Sequence, residues 1–521
     1  MSSPTTTSPV RAAQPELRRW RPPAVQVVPG PLAAADLDGC DVLAVPVAPG
    51  AGEGAAVEPR PGAADAAVRY GADLAALCAA EDVSGEAGRS ARLPVPAPDG
   101  SPRRLLVLGV GDSSPAALRR AAAALARAAG PGTDVATTLA DGAGPDGVRA
   151  VVEGFLLASH VPPLAGRRAG AEPAPRRLLL VGDVDAAAVA RGEALAAATA
   201  LARDLAATPS NLKDPAWVVA QARATAAAHG LTVKVREEAQ LRREGFGGLL
   251  AVGGGSPSAP ALAEVRYRPR GRAAAGAPHV VIAGKGITYD TGGLALKPRE
   301  SMVPMKTDMT GAAVVLAVVA AAARLKLPVR VTGLLALAEN AFGGSSYRPG
   351  DVVRHYGGRT TEVNNTDAEG RLVLGDALAY ADATLDPDVL VDVATLTGAA
   401  SVALGKRHAA LFASDDALAA QLTAASQASG ERVWRLPLVP EYAELLRSDL
   451  ADARQVASTP GAGAGTILAA QFLQPFTGGR RWAHLDIAGP GRSDAPEHEV
   501  GRGATGFGAR LLVRWLESLA A

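Results

Sequence analysis

Between residues 285 and 369 the sequence sets Lys285, Lys297 and Lys306 among the acids Asp290, Asp308, Asp367 and Glu369. The lysines are informative because the chain has only seven of them among 53 basic residues. Arginine serves wherever a plain positive charge will do. A buried lysine can lose its proton and donate a lone pair, which a guanidinium in a protein cannot, so a lysine metal ligand or catalytic amine is expected here. The four acids with a neutral lysine would make an oxygen-rich cage for two divalent cations. Such a pair, about 3.5–4 Å apart, polarises a carbonyl or phosphoryl group and generates hydroxide near neutral pH. That is hydrolase chemistry, and spacing alone leaves amide and phosphate-ester substrates both open. Each residue also has a plainer reading. Asp308 alone would serve as a helix N-cap, and Gly284-Lys285-Gly286 looks like a phosphate loop but lacks its GxxxxGK[ST] spacing. Asp367 and Glu369, at i and i+2, would share a side on extended backbone, and Arg371 offers a fork for a carboxylate-like anion.

These residues must be carried by a sheet. The apolar run His279 to Ala283 reads as a strand, followed by a glycine-punctuated loop from which Lys285, Asp290 and Lys297 project, where open α/β sheets place their ligands. Other strands are expected at 232–236, 262–268, 329–337 and 389–393, with helices at 215–229, 309–325 and about 370–384. The first half alternates in the same way. Strands at Val42–Val45, Leu105–Val110, Asp134–Leu139 and Arg177–Val181 and helices at 63–81, 115–129, 146–159 and about 185–207 predict a parallel sheet with crossover helices. Asp214 caps a helix with Pro215 at its first position. The division is expected near residue 200: a Pro/Ser/Thr-rich disordered tail over 1–23, a smaller N-terminal α/β domain over 24–200, and a larger catalytic domain over 201–521.

Composition narrows the function. A length of 521 residues suits two domains, and 53 Lys and Arg against 52 Asp and Glu leave a net charge of +1, which argues against polyanion binding. Cys40 and Cys78 are too few for a disulfide scaffold or a thiolate zinc site and read as core residues in a reducing compartment. No apolar segment follows Arg18-Arg19, and the run Gly311 to Ala323 is short of a bilayer span, so a cytoplasmic protein without a membrane segment is expected. The seven histidines include no ligand-spaced pair, so core or surface roles are expected for them. Asp452 and Asp486 are assigned packing or subunit contacts.

The segment NTDAEGRL, Asn365 to Leu372, resembles the signature of the leucyl aminopeptidase, or cytosol aminopeptidase, family. GKGITYDTGG, LALKP, MKTDMTGAA, YRPGDVV, ATLTGA, SDLADARQV and WAHLDIAGP are similar to that family in order, over about 205–521. The resemblance implies a mixed central sheet in the catalytic domain. It also implies that Lys285, Asp290, Asp308 and Glu369 hold one metal while Asp290, Asp367 and Glu369 hold the other, manganese or zinc. Lys297 would stabilise the gem-diolate formed when the bridging water attacks, and Arg371 would hold a bicarbonate acting as general base. The backbone at Leu396 would position the substrate, with Met305 lining the side-chain pocket. The implied activity is release of N-terminal residues, leucine and other apolar ones preferred, from peptides with a free amine, by a homohexamer. A two-metal phosphoesterase and a DNA-binding role on the same hexameric scaffold are the alternatives. Thr307, Asn364 and Gly375 depart from the commonest family letters, and Lys306, which fits a structural ion pair as readily as catalysis, is left out of the site.

Overall fold

A computed structural model describes residues 20–52, 56–163, 174–271, 276–457, 459 and 461–519. Of the tail expected over 1–23, residues 1–19 lie outside the described residues.

Two sheets organise the chain. In the first half Ala24–Val28, Arg177–Val181, Asp134–Thr137, Val42–Ala48 and Arg104–Gly109 lie side by side and parallel, in that order. Ser90–Leu93 closes one edge antiparallel, and the short Glu58–Pro59 pairs antiparallel with Val42–Ala48. The sheet is therefore mixed at its margins, not wholly parallel as expected. The helix expected over 63–81 is two, Ala63–Tyr70 and Leu74–Ala80. Gly71 ends the first in a left-handed conformation (φ 57°), and Asp73 caps the second by accepting from Ala76 N.

The second sheet has eight strands. At its centre Trp482–Asp486, Val389–Ala394, His279–Asp290 and Arg330–Asn340 run parallel as neighbours. Ala261–Tyr267 and Thr232–Glu237 continue one side antiparallel, and Ala409–Ala413 pairs antiparallel on the other. Along His279–Asp290 the side chains alternate between two cores. Val280 and Ile282 join the Thr310–Arg324 helix, while Val281, Ala283 and Ile287 join the side of Glu369–Tyr380. A helix layer thus covers each face. Cys40 and Cys78 are free and buried in the N-terminal half.

Thr310–Arg324 is buried all round from Thr310 to Ala322. The helical run Arg299–Arg324 that contains it is long and apolar enough to cross a membrane, but 83% of that window is buried inside the protein, as a core helix requires. Its start is pressed against the sheet: a Cβ on Gly311 would lie 2.1 Å from Val393 O and 2.9 Å from Lys285 N. A Cβ on Gly375, the glycine inside Glu369–Tyr380, would lie 3.3 Å from the Phe476 ring, tighter than an ordinary contact.

Gly311→Ala is expected to lower stability by about 1–3 kcal/mol through overpacking. Gly344→Ala, where a Cβ meets nothing within 4 Å, should leave it nearly unchanged. Thermal unfolding of the two variants beside the parent checks the contrast.

Candidate active site

The acids converge at the C-terminal ends of the four central parallel strands. Lys285 sits inside the His279–Asp290 strand, not in a loop after it, because the strand runs on to Asp290. Ladder pairing with Ala336, Leu337 and Ala338 outweighs the weak strand preference of Gly284 and Gly286. Gly284 admits the Gly311–Ala312 backbone, and Gly286 admits the Leu337 side chain. Lys285 is on the same face as Val281 and Ala283, so its side chain passes beneath the start of the Glu369–Tyr380 helix. A Cβ on Gly370 would lie 2.6 Å from Lys285 Cε. Lys285 Nζ is 2.8 Å from both Asp308 Oδ2 and Glu369 Oε1 and donates to Thr395 O at 3.0 Å.

The register shifts between Ile287 and Asp290, and this irregularity aims Asp290 into the site. Asp290 Oδ1 accepts from Gly292 N and Asn340 Nδ2, each at 2.8 Å, and Oδ2 is 2.9 Å from Lys297 Nζ. Lys297 also pairs with Asp367 Oδ1. Asp308 is not a cap: Met309 occupies that position, and Asp308 Oδ1 accepts from Thr395 Oγ1 at 2.7 Å. Asp367 and Glu369 do not lie on extended backbone either. Asp367 is in a turn held by its own N–H donating to Asn365 Oδ1, and Glu369 opens the helix. The turn still brings them together, since ligand oxygens of Asp290, Asp367 and Glu369 all lie within 4.8 Å of one another.

Arg371 is buried. Its Nη1 donates to Gln455 O, and its Nε has no hydrogen-bond partner among the described residues. Met305 and Leu396 line the same cavity, of about 370 Å³, as the acids, the two lysines and Arg371. Leu396 N donates to Asp486 Oδ1 at 3.1 Å. Asp486, assigned packing or subunit contacts from sequence, anchors the whole turn by also accepting from Thr397 N and Thr397 Oγ1. Sequence reasoning missed Asn340, Thr395 and Gln455. The last accepts from Asn364 N and Asn365 N and donates to Ala368 O, holding the signature loop in place. Only their positions in or beside family-like segments hinted at them.

Lys306 makes no ion pair among the described residues. Its Nζ donates to Ala207 O, at the end of the Ala186–Ala207 helix, and Lys213 donates to neighbouring carbonyls there. His355 and His484 are core residues paired with Asp376 and Asp392, and Asp452 accepts from Thr360.

The electrostatics are unbalanced. Four carboxylates, three of them almost wholly buried, face two ammoniums. Burial, and then the Asp290 carboxylate, push Glu369 up to about 8. Burial raises Asp308 to about 6 against the pull of Lys285. Burial alone would lower Lys285, but Asp308 and Glu369 outweigh it and hold the amine above its ordinary value. Glu369 Oε2 is buried without a hydrogen-bond partner among the described residues. A carboxylate-rich donor set with excess negative charge and an orphaned carboxylate oxygen fits divalent cations, which would also reverse the field that keeps Lys285 protonated and so free its amine to join them.

Between its ordinary value of 4.5 and about 8, Glu369 keeps a proton in the metal-stripped fold that the unfolded chain releases. Stability of the stripped protein should therefore fall as pH rises from about 5 to about 8. Melting temperatures across that range should show the fall, and Glu369→Gln should flatten it.

The model of the "Cytosol aminopeptidase family, catalytic domain" matches residues 200–513, and that of the N-terminal domain matches 45–162. A "Probable cytosol aminopeptidase" of Roseiflexus castenholzii is 46% identical over 377 residues, 70% of this chain and 75% of its own length. Among solved structures, "Bottromycin maturation enzyme BotP in complex with Mn" is 39% identical with a TM-score of 0.79, covering 92% of this chain and 100% of that one. A cytosol aminopeptidase from Coxiella burnetii is 29% identical with a TM-score of 0.78, covering 95% and 99%.

Proposed function

This chain belongs to the cytosol aminopeptidase family, and from that premise we propose that it is a two-metal aminopeptidase releasing N-terminal leucine and other apolar residues from peptides. The observation that carries this reading is the convergence of Asp290, Asp367 and Glu369 within 4.8 Å, with Lys285 and Lys297 among them.

Lys285, Asp290, Asp308 and Glu369 would hold one cation, and Asp290, Asp367 and Glu369 the other. Two divalent ions, manganese or zinc, supply Lewis-acid polarisation of a carbonyl and a water acidified toward neutral pH. In the metal-free site burial works against the Lys297 proton, but Asp290 and Glu369 outweigh burial and hold the ammonium above its ordinary value. As an ammonium, Lys297 would place a positive charge facing the oxygen on which negative charge develops. Arg371, with its unpartnered Nε in the cavity wall, would hold a bicarbonate that takes the proton of the attacking water. The acid cage receives the peptide's free α-amine, which restricts cleavage to the first bond. Met305, Leu396, Ala399 and Val456 give the cavity an apolar wall suited to an apolar side chain. Residues 24–200 and 201–521 are taken as the two domains. A cytoplasmic homohexamer is the setting suggested by the relatives' names and by the family.

Purified protein should release leucine from a Leu-anilide, lose this activity on chelation, and regain it with manganese or zinc, while the N-acetylated substrate stays intact. Cleavage unaffected by chelation, or equal cleavage of the blocked substrate, would contradict the reading. Lys297→Ala should lower kcat by about 10²–10³-fold, as loss of an oxyanion-stabilising donor does, with steady-state kinetics as the check.

A further inference from the structure

A second cavity, of about 860 Å³, lies between the two halves of the chain and shares only Arg492 with the lining of the acid cage. One wall is the Pro115–Ala129 helix of the N-terminal half, and the others come from segments around 406–408, 430–435 and 490–500. Eight lysines and arginines line it against three glutamates, although the chain as a whole carries only +1. Its volume is in the range of small-ligand sites.

Part of this charge is internally matched. Arg510 lies against Glu431 and Glu499 at 3.4 and 3.2 Å. Arg407 and Arg435 pair with Glu497 and Asp416 in exposed contacts of little strength. Lys406 and Arg492 both reach Asp494, the latter at 4.0 Å; the remaining arginines are less fully matched. Arg119 is 3% exposed, and its Nε reaches Glu153 at 3.1 Å, yet its Nη2 is buried with no hydrogen-bond partner among the described residues. Gly430 leaves room beside that guanidinium, since a Cβ there would stand 2.7 Å from Nη1. Among the described residues, Arg120 and Arg432 have no ion pair. Between Arg432 and Arg435 in sequence, Trp434 belongs to the cavity lining with 61% of its surface exposed, an unusual position for an indole.

A buried, unsatisfied guanidinium donor beside unpaired arginines calls for an anion that accepts several hydrogen bonds, which phosphate does through fork-like contacts. An exposed indole in the same cavity offers a flat face to an aromatic ring. We propose that this interdomain cavity is a binding site for a small phosphate-bearing anion, with nucleotides the best-fitting class. Arg119, Arg120 and Arg432 take the phosphates and Trp434 takes the base. Arg492 lines both this cavity and the acid cage, so it is left out of the test.

The test is isothermal titration calorimetry of the metal-stripped full chain with ADP and with inorganic pyrophosphate at physiological ionic strength. Stripping the protein prevents the phosphates from bridging to cations in the acid cage. Saturable binding of ADP at one site per chain is expected, at least tenfold weaker in Arg120→Ala/Arg432→Ala and unchanged in Asp367→Asn. The double variant should keep the parent's melting temperature and Leu-anilide cleavage. No saturable binding, or binding undiminished in the double variant, would overturn the site. Pyrophosphate binding as tightly as ADP, or an ADP affinity indifferent to Trp434→Ala, would overturn the nucleotide assignment.

Discussion

Asp290, Asp308 and Glu369, almost wholly buried, and the half-buried Asp367 share one small space with only two ammoniums, and burying like charges is expensive without compensation. The metal-stripped fold meets this cost partly with protons, as the upward shifts of Glu369 and Asp308 show. Divalent cations meet it more fully, because each supplies two charges and accepts several oxygens at once. The surrounding architecture keeps those carboxylates from moving apart.

That restraint begins in the sheet. Parallel strands ending side by side deliver Asp290, Asn340, Thr395 and Asp486 to one edge, and each either bears on the cage or holds a residue that does. The Thr310–Arg324 helix can approach the sheet closely enough to place Asp308 over Lys285 only because Gly284 and Gly311 lack side chains. Gly370 does the same for Lys285 from the opposite helix layer. Packing and site chemistry therefore share the same glycines, and a change that loosens the core would displace a carboxylate.

Much of this was legible in the sequence, and unevenly so. Scarce lysines beside clustered acids pointed to the cage, and two of the three, Lys285 and Lys297, lie in it, whereas Lys306 donates to a helix-end carbonyl instead. The local backbone was harder. Flanking glycines made Lys285 look like a loop residue, whereas strand pairing carries it inside the sheet. Alternation suggested extended backbone for Asp367 and Glu369, whereas a turn and a helix start bring them together. Gln455 and Asp486 come from segments about a hundred residues away in sequence, and spacing carries no trace of such contacts. The basic cavity was invisible for a related reason: a net charge near zero averages over a surface that two halves of the chain assemble together.

The central claim is that the caged carboxylates hold two divalent cations, and metal content tests it most directly. Protein stripped with chelator, reconstituted with manganese and freed of excess metal by gel filtration should carry two ions per chain by elemental mass spectrometry, with Asp367→Asn carrying fewer. A wild-type protein that retains one ion or none under those conditions would contradict the account.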